Sequence, residues 1–223
     1  KHLIYQNLIL LISSYIFYGW WDWRFLSLIA LSTVVDYLVG IQIDKAESKK
    51  TKRNFLLISL IVNLGLLAVF KYFNFFITSF EEMLNSLGLP FDTWTLNIIL
   101  PVGISFYTFQ TLSYSIDLYK GKIKHTNDFI SFAAFVAFFP QLVAGPIERA
   151  SHLLPQFIKK RKFNYQIAIS GISLISYGFF KKLVIADRLA IYVNNIFSDI
   201  ENANTLSLLL GIIFFSFQIY ADF

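Results

Sequence analysis

The chain has 223 residues, of which 56% are hydrophobic and only 15% charged, with 4 Trp, 12 Tyr and 25 Phe. A soluble domain is about 45–50% apolar and about 25% charged, so a water-soluble fold is excluded, and the mean hydropathy of +0.59 excludes intrinsic disorder equally. The net charge is +5 and there is no cysteine, which removes disulfides, thiolate metal sites and cysteine nucleophiles.

Long apolar runs follow one another along the chain. A spanning helix needs about 20 mostly apolar residues. Leu3–Trp20 is the first such run, and its end carries Tyr18, Trp20, Trp21 and Trp23, the residue types that favour the lipid–water boundary. Phe25–Ile43 is the second, with Asp36 inside it, and Phe55–Ile77 the third, interrupted by Lys71. Leu96–Tyr119 is the fourth; Pro101 and Gly103 predict a kink in it. Phe129–Ile147 is the fifth, broken by Pro140 and Gly145–Pro146. Ile167–Phe197 contains Lys181, Lys182, Asp187 and Arg188, which predicts a break or an oblique course near the two lysines, and Leu206–Phe223 is the last. The runs lack period-2 alternation and are about twice as long as barrel strands need. The fold class is therefore all-α: a polytopic transmembrane helical bundle with kinked and re-entrant helices, forming one membrane-embedded domain over residues 1–223.

The charges set the topology. Thirteen of the 19 Lys and Arg fall in three segments, Asp44–Asn54, Lys120–Asp128 and Ile147–Lys162. Thr78–Thr95 and Ser198–Thr205 hold none, and carry Glu81, Glu82, Asp92, Asp199 and Glu201 instead. Positive-inside bias puts the first group in the cytoplasm and the second outside. This accounts for the pI near 9.3 without nucleic acid. A zigzag then works as far as Lys120. Beyond it, two basic loops flank a single apolar run, and an odd number of crossings cannot join two loops on one side. Phe129–Pro146 is thus expected to enter the membrane and turn back, which irregular backbone tolerates only when buried in protein or lining a wet cavity.

Ionisable residues at membrane depth are functional candidates or interhelical glue. Asp36 fits either role, and Lys71 is placed to snorkel to the outer boundary. Tyr107, Gln110, Tyr114 and Asp117 share one helix face, which must meet protein or a wet path rather than lipid. Gln141, Glu148 and Arg149 surround the Pro/Gly break. The three histidines, His2, His125 and His152, have no partner at metal-ligand spacing, so no metal site is expected.

The strings SSYIFYGWWDWRFL (13–26), LSTVVDYLVG (31–40), LPVGISFYTFQTLSYSIDLYKG (100–121) and FAAFVAFFPQLVAGPIERASHLLPQF (132–157) resemble the membrane-bound O-acyltransferase family, in particular its bacterial alginate O-acetyltransferase-like branch. GFFKKLVIADRLA (178–190) and FFSFQIYADF (214–223) extend the likeness over nearly the whole chain. The resemblance implies an enzyme of the bacterial cytoplasmic membrane. It would pass an acyl group, normally acetyl, from a cytoplasmic donor to hydroxyls of an extracytoplasmic polysaccharide such as alginate. It implies no bound cofactor, a donor such as acetyl-CoA or a carrier derived from it, and an extracytoplasmic acetyltransferase partner protein. In such proteins the catalytic histidine lies C-terminal to the QIYADF string, and no residue here matches it. The chain therefore reads as the N-terminal and central part of a longer enzyme. Gln110, Gln141, Arg149 and Asp222 are the candidates to line or brace a passage between donor and acceptor. A D-alanyl transfer protein of the same family and a secondary transporter or flippase are the alternatives.

The zigzag makes a direct prediction. Single cysteines at Ser48 and Ser86 should react with a membrane-impermeant thiol reagent from opposite sides; labelling from one side overturns the topology.

Overall fold

The computed structural model describes residues 2–89, 99–142, 145 and 148–222, and every regular element among these is helical. The chain divides into two compact units, Lys1–Arg161 and Lys162–Phe223.

In the first unit α1 (His2–Asp22) ends where the Asp22 backbone becomes extended, at φ −160°. The Asp22 carboxylate accepts from the Arg24 N–H at 3.0 Å and pairs with the Arg24 guanidinium at 2.6 Å. That caps a 3₁₀ turn, Trp23–Phe25, which leads into α2 (Leu26–Lys45). The two helices have 21 and 20 residues, so each is about 30 Å long and matches the hydrocarbon thickness. Ser48 then accepts from the Thr51 N–H at 3.0 Å and starts α3 (Lys49–Leu67). A π-helical turn, Ala68–Tyr72, joins α3 to α4 (Phe73–Ser86), so that Lys49–Ser86 is one continuous helix of 38 residues. The Lys71 ammonium does not simply reach for the boundary: it donates to Ser105 Oγ at 3.0 Å and lies over the Tyr72 ring.

The fourth apolar run becomes a shorter helix than expected. α5 spans Ile104–Tyr119, 16 residues, or about 24 Å. Pro101 and Gly103 do not kink it; they precede it. Gly103 takes φ +75° and forms its N-cap, and a Cβ there would collide with the Leu142 carbonyl oxygen. The Tyr18 hydroxyl donates to the Val102 carbonyl at 2.7 Å, satisfying backbone that no helix satisfies. Leu96 and the other residues at the start of that run lie outside the described residues, as do Asp92 and Pro146.

Contacts along the helices fix their directions. Phe25 meets Phe70, Ser32 bonds Asn63 and Asp36 bonds Ser59, so α2 and α3 are antiparallel. Asn63 meets Thr111 and Lys71 meets Ser105, so α3 and α5 are antiparallel as well.

The chain doubles back between Phe129 and Ile158. It forms α6 (Phe129–Val136), then after a break at Ala137–Phe138 a single turn, α7 (Phe139–Leu142). Pro140 sits inside that first turn, where its missing N–H is harmless, rather than at the break. The eight residues of α6 cover about 12 Å, far short of a bilayer. α8 (Ala150–Ile158) returns the chain. The Asn7 amide donates at 2.7 Å both to Ser131 Oγ, near the start of the segment, and to the Phe157 carbonyl, near its end. The two flanks therefore lie side by side.

The second unit is a helical hairpin. Asn164 accepts from the Ile167 N–H at 3.2 Å and opens α9 (Tyr165–Phe180). The helix does not break at the lysines. It passes through a π-helical turn, Lys181–Ala186, into α10 (Asp187–Phe197), giving 33 continuous residues. α11 (Thr205–Asp222) packs antiparallel to it, with Phe197 near Phe215, Tyr192 near Phe214 and Lys182 near Asp222.

Gly103 yields a sharp test. Gly103→Ala forces an L-residue into a left-handed conformation and drives its methyl into the α7 backbone, which should cost at least about 2 kcal/mol. A thermal midpoint in detergent within 1 °C of wild type would contradict the close approach of α5 and α7.

Candidate functional site

α5 is the element on which the polar chemistry converges. Its predicted polar face, Tyr107, Gln110, Tyr114 and Asp117, is buried throughout. The helix makes two sets of polar contacts, in which Thr111, Ser113 and Ser115 join Gln110.

Towards α2 and α3 the helix joins a closed hydrogen-bond network. Asp36 accepts from Ser59 and, at 2.7 Å each, from Ser115 and the Asn63 amide. Asn63 Oδ1 in turn accepts from Ser32 at 3.0 Å and from Thr111 at 3.2 Å. All six side chains are fully buried. Of the two roles open to Asp36, the geometry supports the packing one: both carboxylate oxygens are occupied by protein donors.

Towards the re-entrant segment α5 supplies groups that an interrupted helix lacks. In a continuing helix the Phe139 N–H would bond the Phe135 carbonyl. Here the Phe139 N–H donates to Ser14 Oγ at 3.3 Å, and the Gln110 amide takes its place on Phe135 at 2.8 Å. The same Gln110 nitrogen lies 3.5 Å from Gln141 Oε1. One turn on, Ser113 Oγ accepts from the first N–H of α8, that of Ala150, at 3.1 Å. Two pieces of broken backbone are thus held by α5, and a third by Ser14 of α1. The Tyr107 hydroxyl and Thr108 Oγ1, on the same stretch of α5, are buried with no partner among the described residues.

The four sequence-derived candidates separate accordingly. Gln110 and Gln141 are brought together. Arg149 lies further along the same segment, exposed, as the residue before α8, with no side-chain cap bond. Asp222 belongs to the second unit and is paired with Lys182 at 2.5 Å.

Other residues matter that composition did not single out. His125, read only as part of a basic loop, bonds the Tyr114 hydroxyl through Nδ1 at 2.9 Å and lies against the Tyr37 ring. Gly40 makes that contact possible: a Cβ there would come within 2.7 Å of the Tyr114 oxygen. Burial pushes His125 below the ordinary histidine value, opposed in part by Asp44 and assisted by Lys45. A small residue facing an aromatic with a histidine in the next loop is a weak signal, but it was there to read. His152 pairs with Glu148 on the surface at 3.0 Å. Among the described residues no three His, Asp or Glu side chains gather closely enough to hold a metal.

Neither a protein-family model nor a solved structure matches the chain. Curated proteins do. It is 41% identical over 220 residues to a probable alginate O-acetylase AlgI of Pseudomonas aeruginosa, covering 98% of this chain and 42% of that protein. It is 42% identical over 220 residues to the protein of the same name from Pseudomonas syringae pv. tomato, with the same coverage. A peptidoglycan O-acetyltransferase of Helicobacter pylori is 34% identical over 249 residues, covering all of this chain and 46% of that protein.

Over nearly its whole length the chain is thus similar to proteins named as O-acetylases and an O-acetyltransferase.

It spans less than half the length of the relatives named above. The similarity runs through both units. Helices of crossing length in each unit make this a multi-pass membrane protein.

Asp36 distinguishes packing from passage. Interhelical hydrogen bonds in membranes average about 0.6 kcal/mol, so losing three in Asp36→Ala should cost about 2 kcal/mol, and Asp36→Asn clearly less. Unfolding in mixed micelles measures both. Equal midpoints for wild type and Asp36→Ala would remove the network from the account of stability.

Proposed function

We propose that the protein transfers an acetyl group from a cytoplasmic donor to hydroxyls of an extracytoplasmic polysaccharide, at the bacterial cytoplasmic membrane. The observation that carries this reading is the identity of about 40% to O-acetylases across 98% of the chain. The relatives' names cover two acceptors, alginate and peptidoglycan. What those share is a carbohydrate hydroxyl, so the acceptor class is a polysaccharide. Acetyl-CoA or a carrier charged from it is the proposed donor, and an extracytoplasmic acetyltransferase is the proposed partner.

Acyl transfer needs a base for the hydroxyl and a path that joins two aqueous sides. The first unit contributes to the path. A 12 Å helix that turns back leaves about half of the bilayer thickness to irregular backbone, and such backbone persists only inside protein or beside water. Gln110 braces that turn and Gln141 lies beside it. In this reading Arg149, exposed at the return, meets the anionic part of a donor, and Asp222 stands nearest the chemistry. The histidine that the resemblance implies for proton transfer is proposed to lie C-terminal to the QIYADF string.

Deleting the gene should strip acetyl esters from one envelope polysaccharide, as read by NMR of the isolated glycan; unchanged ester content defeats the proposal. Complementation with Gln141→Ala or Arg149→Ala should restore the protein to the membrane but leave esterification at least about tenfold low. Full restoration by either variant removes that residue from the site.

A further inference from the structure

In the second unit two adjacent lysines are held in different ways. Lys181 lies over two aromatic rings, Tyr177 at 5.3 Å and Tyr220 at 4.8 Å. Lys182 is gripped by two carboxylates, Asp187 at 3.0 Å on its own helix and Asp222 at 2.5 Å on α11. All are in or beside helices apolar enough to cross a membrane, where an isolated charge is expensive and pairing offsets the cost.

The π-helical turn explains how Lys182 meets Asp187. Five residues separate them. In an α-helix that spacing leaves two side chains about 140° apart around the axis. In a π-helical turn the bond pattern is i→i+5, and here the Asp187 N–H donates to the Lys182 carbonyl. Residues five apart then stack on one face. The wide turn therefore places Lys182 directly over Asp187 while leaving its ammonium free to reach across to α11. There it meets Asp222 on the last turn. Gln218, one turn earlier on α11, has its carboxamide oxygen buried with no partner among the described residues. Asp222 thus shares the Lys182 ammonium with Asp187, and the shared pair ties the end of α11 to the π-helical turn.

We infer that Lys182 is a positioning residue for Asp222: the π-helical turn exists to bring its ammonium between the two helices, and that ammonium fixes the Asp222 carboxylate in the orientation used in the reaction. Asp187 completes the device by holding Lys182 from behind. The assignment rests on the acyl-transfer reading for its consequence, but not for its geometry.

The test uses the full-length protein in its membrane. Lys182→Met keeps the length and apolar bulk of the side chain and removes the charge. It should lower kcat for polysaccharide acetylation about 10- to 100-fold, as for a displaced orienting group, with acceptor KM and membrane protein level near wild type. Asp222→Asn should fall by a similar factor, and Lys182→Met/Asp222→Asn no further than either alone. Lys182→Arg should recover at least a third of the wild-type rate, because a guanidinium spans two carboxylates as well. Wild-type rates in Lys182→Met, or a Lys182→Arg as poor as Lys182→Met, overturn the inference. A second measurement separates it from the functional reading. In purified protein the thermal shifts of Lys182→Met and Asp222→Asn should be non-additive. Additive shifts overturn the tether even if acetylation is found; non-additive shifts with no acetylation by wild type uphold the tether and defeat the acyltransferase reading instead.

Discussion

Asp36 is fully buried between helices, and the first unit is arranged around that fact. A carboxylate buried between helices can stay only if each oxygen finds a donor. Ser59 and Asn63 supply them from α3 and Ser115 from α5, while Ser32 and Thr111 close the shell around Asn63. Small hydroxyl residues suit this work because they let the backbones approach closely. The register of three helices is thereby locked, and with it the level at which α5 presents Gln110 and Ser113 to the re-entrant segment.

That segment has a constraint of its own. A helix that stops inside the membrane exposes carbonyls and N–H groups that lipid cannot satisfy. The fold answers three of these from neighbours: Gln110 for the Phe135 carbonyl, Ser14 for the Phe139 N–H and Ser113 for the Ala150 N–H. Asn7 then fastens the entering and leaving strands of the turn together. A residue can be essential to such a segment by capping backbone, with no contact to any substrate. Gln110 combines that duty with a place beside Gln141, which makes it the structural hinge of the proposed passage.

Much of this was legible in the residues. Length and hydropathy gave α1, α2 and α11 nearly to their ends, and the parity of two basic loops pointed to a segment after Phe129 that doubles back. Other features escaped for identifiable reasons. Pro101 and Gly103 lie in an unbroken apolar run, so they read as a kink; only the left-handed backbone and the Leu142 carbonyl show that α5 begins there. The Lys181–Lys182 pair predicted a break because counting charges cannot see their partners. Asp187 and Asp222 lie 5 and 40 residues from Lys182, and only folding sets the second beside it. The likeness to O-acetylases was carried by short strings, among whose residues are Asp36 of the buried network and Gln110, which meets the Phe135 carbonyl.

The π-helical turns carry a consequence for how such helices are compared and altered. Each turn of this kind accommodates one residue more than an α-helix would over the same rise. Across Lys181–Ala186 the angular phase of the helix slips, so a helical wheel drawn through α9 and α10 as one cylinder assigns the wrong side to everything after the lysines. One residue is worth about 100° of rotation. Removing a single residue from this turn would let it close into plain α-helix with α10 in nearly the same place, whereas the same deletion inside α9 would swing everything after it by about a quarter of a circle. In this stretch a one-residue deletion is absorbed that elsewhere would be a change of direction.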